Sequence, residues 1–227
     1  MTIQLNRFAR ILTLGVVVCA FLILSGPACR GANGKQRVGQ FRRQTDVGVT
    51  PKAGSASYNA ASQEYTVTGG GENMWAGTDA FHYVWRRWKG DVTLTADIAI
   101  TTPTGSPHRK AALMIRQGLG PSDPYADAAL HGVGLTALQY RQKEGADTLE
   151  VISPVSSPKS LRLERRGNTF TIFVAGADGQ FKKVGSADVE LHDPVYVGLA
   201  VCAHDANALT TAVFSNVKIS KLAPDGE

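Results

Sequence analysis

Residues 80–100 read AFHYVWRRWKGDVTLTADIAI, and their spacing decides the fold. From Asp91 onward, Val92, Leu94, Ala96 and Ile98 alternate with Thr93, Thr95 and Asp97. That period of two is the pattern of a strand with one buried face. Ala80 to Arg87 alternates as well. Phe81, Tyr83 and Trp85 share one side, and His82, Val84, Arg86 and Trp88 share the other. One side must be core. The aromatic side is expected there, which leaves His82, Arg86 and Trp88 outside. The three Trp of the chain, Trp75, Trp85 and Trp88, all fall within residues 71–91. Trp75 precedes the strand in a loop-like stretch and is the freest of them to meet a ligand.

Working outward, further short strands are expected at 57–59, 64–68, 110–116, 132–141, 149–153, 160–165, 169–175, 182–189, 195–203 and 209–219. Asp178-Gly179 between two such runs is a hairpin signal. Val195 to Val201 (VYVGLAV) is almost wholly apolar, as in a strand buried on both faces. No segment shows helical periodicity over ten or more residues. Residues 123–131 (DPYADAALH) are expected to form one helical turn or a short helix within a loop. Many short strands with turn residues between them argue for an antiparallel sandwich or barrel.

The N-terminus reads as an export signal. Arg7 and Arg10 precede an apolar run, Ile11 to Leu24, too short to span a bilayer comfortably, and Ser25-Gly26-Pro27-Ala28 follows as a cleavage region. The expected organisation is a signal peptide at 1–28, a basic flexible linker at 29–52, a β-sandwich domain at 53–221 and a tail at 222–227. The protein is then exported, to the periplasm or beyond the cell. Membrane contact is confined to the N-terminal segment, if it stays uncleaved or if Cys29 is lipidated, and the Leu expected three residues before a lipidated Cys is replaced by Gly26.

The net charge of +5 is unevenly placed. Residues 1–52 hold eight Lys or Arg and one Asp, whereas the rest holds 16 basic and 18 acidic residues. A near-neutral body removes the basis for a nucleic-acid face. Of three Cys, only Cys202 lies in the body, inside an apolar strand, so it reads as a small core residue and no disulfide framework is expected.

The order of motifs carries a resemblance. Trp88-Lys89-Gly90-Asp91 enters a strand and is followed by Lys110-Ala111-Ala112-Leu113-Met114-Ile115-Arg116. Then come Ser160-Leu161-Arg162-Leu163-Glu164-Arg165-Arg166-Gly167-Asn168, Ala177-Asp178-Gly179, Tyr196-Val197-Gly198-Leu199-Ala200-Val201 and Thr211-Ala212-Val213-Phe214-Ser215-Asn216-Val217. This set resembles the concanavalin A-like lectin/glucanase superfamily, in a bacterial secreted branch similar to regulation-of-enolase-type domains. The resemblance covers about residues 55–220. It implies an all-β, two-sheet antiparallel jelly-roll sandwich with one concave face. It does not imply an activity.

Glycoside hydrolysis needs two carboxyl groups flanking the scissile bond. Glucanases of the resembled superfamily carry Glu-x-Asp-x-x-Glu on one strand, and this chain has no such string. Asp91 and Asp97 share a face without a Glu, and Glu144, Asp147 and Glu150 read as solvated surface. No nucleophile elbow or phosphate-cradling loop occurs either.

Sugar binding asks for aromatic platforms and convergent donors and acceptors. Arg116, Gln139 and Arg141 lie on strands that the resemblance places in the concave face, where they could converge with His82; Trp75 would be the platform. The competing reading pairs each Arg with a carboxylate that ties strands together. The five His lack metal-ligand spacing, and the cluster Asp123, Asp127 and His131 lacks the pattern of a calcium loop. No catalytic residue, metal or cofactor is expected. The expected role is an exported, non-catalytic module binding a glycan or cell-envelope polymer. The alternatives are an adaptor contacting another envelope protein and a glycoside hydrolase with an unfamiliar acid pair.

Overall fold

The computed structural model describes residues 37–222. The expected signal peptide, Cys29 and the first residues of the expected linker lie outside the described residues, as do residues 223–227. Among the described residues there are sixteen strands and no helix. In chain order the first eight are β1 (Arg43–Val47), β2 (Ser55–Asn59), β3 (Glu64–Gly69), β4 (Met74–Trp75), β5 (Thr78–Asp79), β6 (Phe81–Trp88), β7 (Val92–Ile100) and β8 (Lys110–Arg116). There follow β9 (Tyr125–His131), β10 (Thr136–Arg141), β11 (Leu149–Ile152), β12 (Ser160–Arg166), β13 (Thr169–Ala175), β14 (Lys182–Asp188), β15 (Val195–Cys202) and β16 (Thr210–Ser220).

Two seven-stranded antiparallel sheets form a sandwich. The first has the order β1-β6-β15-β8-β9-β10-β11 and the second β14-β13-β12-β7-β16-β3-β2, while β4 and β5 make a separate small hairpin. The fold is thus the expected all-β jelly roll. The core between the sheets is built by the alternation read in the sequence. Val92, Leu94, Ala96 and Ile98 of β7 pack with Leu161 and Leu163 of β12 and with Phe170, Ile172 and Val174 of β13. Opposite them stand Leu113 and Ile115 of β8, Ala126 and Ala128 of β9, and Val197, Leu199 and Val201 of β15. Burial of this apolar surface is the main favourable term in folding.

The structure corrects three expectations. Residues 125–131 form no helical turn; they are β9, paired with β8 on one side and β10 on the other, with all seven residues buried. The Ala-rich run suits a helix locally, but a seven-residue helix gains little alone, and small Ala side chains let two flanking strands pack on both faces. Second, residues 38–47 of the expected linker belong to the sandwich. Arg43–Val47 pairs along β6 in register Arg43 to Trp85, and Phe41 is fully buried beside Tyr65.

Third, the inter-sheet core takes Val84 and not Phe81, Tyr83 and Trp85. Those aromatics lie on the outer face of the first sheet, the side expected to be concave. There they form a second buried cluster with Met74, Ala112, Met114, Tyr125 and Ala200. The segment 73–79 lies across this face and covers it. Gly198 makes room for the Tyr83 ring, since a Cβ there would strike both that ring and the Val84 carbonyl. The Tyr83 hydroxyl sits 3.0 Å from the Met114 and Tyr196 carbonyls that it donates to.

Candidate functional site

Beneath segment 73–79 lies a buried charge cluster. Arg141 grips Asp79 with both Nη atoms, at 2.8 Å to Oδ2 and 2.7 Å to Oδ1, and Arg116 Nη2 approaches Oδ2 at 3.4 Å. The three side chains are fully buried. Burial raises the Asp79 carboxyl above its ordinary range despite the opposing pull of Arg141 and Arg116. Buried ions persist when further hydrogen bonds satisfy them. Here Arg141 also donates to the carbonyls of Ala76 and Ala146, and Arg116 Nη2 to that of Gly120, while Arg116 Nε and Nη1 make no hydrogen bond. These contacts tie segment 73–79 and the loop after β8 to the sheet.

Next to this cluster the outer face opens into a pocket of about 250 Å³. Its floor comes from Lys110 at the start of β8, His131 at the end of β9 and Gln139 of β10, and its wall from Asn73 and Trp75. Lys110 is 2% exposed. Its Nζ donates to Asn73 Oδ1 at 3.0 Å and to the Met74 carbonyl at 2.8 Å, and lies 5.3 Å from the centre of the Trp75 ring. A cation against an indole face is attractive, more so when desolvated. Lys110 therefore holds both the segment and its Trp. A second cavity of about 570 Å³ shares Asn73, Trp75 and His204 with the first.

The electrostatics of the floor follow from burial. The Lys110 ammonium is pushed below its ordinary value by burial, with Asp127 pulling the other way. Asp127, fully buried and directly across from Gln139, is pushed well above the carboxylate range by the same cause, Lys110 opposing. His131 is driven down to about 3 by burial and by Lys110, His108 and His204, so its ring is neutral at ordinary pH. His108 stands edge-on to His131, ring centres 5.8 Å apart, and 5.5 Å from His204. Among the described residues no group of three or more His, Cys, Asp or Glu is arranged to hold a metal ion.

Of the residues singled out from the sequence, Trp75 and Gln139 meet in this pocket. Arg116 and Arg141 share its face of the sheet but are sealed below the Asp79 segment, where they bind protein. His82 does not converge with them. Period-two geometry turns it to the opposite side of β6, where Nδ1 lies 2.7 Å from Asp46 Oδ1 and Nε2 3.0 Å from Gln44 Oε1. It is 2% exposed, not outside as its alternation suggested. Gly54 covers it; a Cβ there would strike the imidazole, and its N–H donates to Asp46 at 3.1 Å. His82 thus fastens β1 to β6.

Lys110, His131, His108 and His204 line this pocket and Asp127 is buried behind its floor, none of them expected there from the sequence. Asp127 and His131 are four apart in β9, with Tyr125 and Ala129 at the same parity. Reading 125–131 as a strand would have placed both on one face with Gln139.

No protein-family model matches the chain, and no curated protein matches it in sequence. Similar solved structures include a functionally unknown protein from Saccharomyces cerevisiae, at a TM-score of 0.61 and 16% identity over 83% of this chain and 100% of that one. Another is the carbohydrate binding module CBM66 from Bacillus subtilis, at a TM-score of 0.50 and 20% identity over 78% of this chain and 95% of that one. What the chain shares with them is the fold, a two-sheet jelly-roll sandwich of the concanavalin A-like kind.

Proposed function

We propose that the domain is an exported, non-catalytic module that holds a glycan or another cell-envelope polymer against Trp75. The observation that carries this reading is the position of that ring. It is half-buried, fixed by Lys110, and forms part of the wall of two adjoining cavities. An indole immobilised in this way offers a flat apolar face, while Asn73, Gln139 and the three His offer polar groups around it, the combination that sugar rings require. The fold shared with a carbohydrate binding module agrees with it. A binding role fits better than cleavage, because Asp127 is fully buried while Glu150 is exposed at the rim. Two such carboxyls do not flank a common open point, as hydrolysis demands. Export rests on the sequence of residues 1–28, and the place beside regulation-of-enolase-type domains rests on motif order.

Affinity electrophoresis through gels containing individual polysaccharides tests the proposal. At least one polymer should retard the domain, and Trp75→Ala should weaken that binding by about 2 kcal/mol, roughly 30-fold. Unretarded migration through every polymer would defeat it.

A further inference from the structure

The pocket floor carries polar atoms that the protein itself leaves unused. Gln139 and His131 face the pocket from paired strands and are 1% and 5% exposed. The Gln139 amide nitrogen donates to Glu150 Oε2 at 3.3 Å and towards His131 Nε2 at 3.4 Å. Nε2 of His131 is then an acceptor, so the neutral ring carries its hydrogen on Nδ1. That Nδ1–H finds no acceptor, and Gln139 Oε1 finds no donor. Behind them, neither carboxyl oxygen of Asp127 makes a hydrogen bond of ordinary geometry.

Unmatched buried polar groups are rare in folded proteins, and several at one pocket ask for a ligand that completes them. The vacant positions are one donor and one acceptor on neighbouring side chains. A ring bearing several hydroxyls, each both a donor and an acceptor, supplies the partners that these two atoms lack. Charge then narrows the choice. The pocket's buried cation, Lys110, is committed to Asn73, Met74 and the Trp75 ring. The acid at the rim, Glu150, is exposed and directed to Gln139. An incoming carboxylate, sulfate or phosphate would meet that acid without a free cation to pair with.

We infer that the pocket bounded by Trp75, His131, Gln139 and Glu150 takes an uncharged, hydroxyl-bearing sugar ring and rejects acidic sugars. This inference rests on the glycan-binding reading above and names the class of ligand for that site.

The test compares neutral glucan and fructan with polygalacturonate and alginate, by affinity electrophoresis and titration calorimetry on the intact domain. Retardation by a neutral polymer and none by either polyuronate is the expected result. Gln139→Met, which keeps the side chain's length and removes its polar atoms, should weaken neutral binding about tenfold with its melting temperature recorded alongside. The exposed rim variant Glu150→Lys should gain measurable polyuronate binding. Wild-type preference for a polyuronate overturns this inference and leaves glycan binding standing. Neutral binding unchanged in a folded Gln139→Met overturns it too. Absence of binding to both classes overturns this inference, whereas the broader one falls only if every polysaccharide leaves migration unretarded.

Discussion

Replacing Asp79 by Asn removes the carboxylate that neutralises two buried guanidinium groups. Asp79 is the acidic residue to which both Arg116 and Arg141 bond, and all three side chains are fully buried. Removing one partner of a buried ion pair costs about 3–5 kcal/mol, because the remaining charge stays desolvated without compensation. Asn keeps the shape and one acceptor oxygen, so the lower end, about 3 kcal/mol, is expected. In a domain of this size each kcal/mol lowers the melting temperature by roughly 2–4 °C, so Asp79→Asn should melt about 6–12 °C below wild type. Urea unfolding should show a lower midpoint at an unchanged slope, since the surface exposed on unfolding is the same. A double-mutant cycle with Arg141→Met isolates the pair, and the combined loss should fall short of the sum by more than about 1 kcal/mol. The second readout is affinity. Asp79 anchors the same segment that carries Trp75, so binding of any retarding polysaccharide should weaken in parallel. A loss of stability under about 1 kcal/mol, or strict additivity with Arg141→Met, would refute the view that this cluster clamps the segment.

The His82 anchor should respond to acid. Burial raises the Asp46 carboxyl, but the hydrogen bond and charge of His82, with hydrogen bonds from Gly54 and Thr50, together more than offset it and leave the folded value below the ordinary 3.8. A lowered carboxyl contributes stability above about pH 4 that drains away as pH falls through the folded value. The stability gap between wild type and Asp46→Asn should therefore be widest near neutrality and close in acid; a gap constant down to pH 2 would contradict the assignment. Gly54→Ala should loosen β1, because the added methyl collides with the His82 ring, and hydrogen exchange of the β1 amides should speed up selectively. Leu113→Ala, in the inter-sheet core and fully buried, should cost about 2–5 kcal/mol in urea unfolding, with a value under 1 arguing against that packing.

Alternation along 91–100, the apolar run at 195–201 and the spacing of turn residues determined by themselves that the chain is an antiparallel β-protein, because side-chain period is a local property of a strand. Trp75 stood out by its loop-like position and Gln139 by the resemblance, and the two meet in one pocket. The remainder depended on distant partners. Residues 125–131 look helical alone and become a strand only because β8 and β10 offer their edges. Phe81, Tyr83 and Trp85 have the parity of core residues, yet which side of a sheet faces its partner sheet is settled by the whole sandwich, and segment 73–79 then buries the other side as well. Arg116 and Arg141 have the look of groove residues until Asp79, more than thirty positions earlier, closes over them. Local pattern specifies a strand and its two faces. What each face meets is set by contacts between segments far apart in the chain, and no local period encodes those.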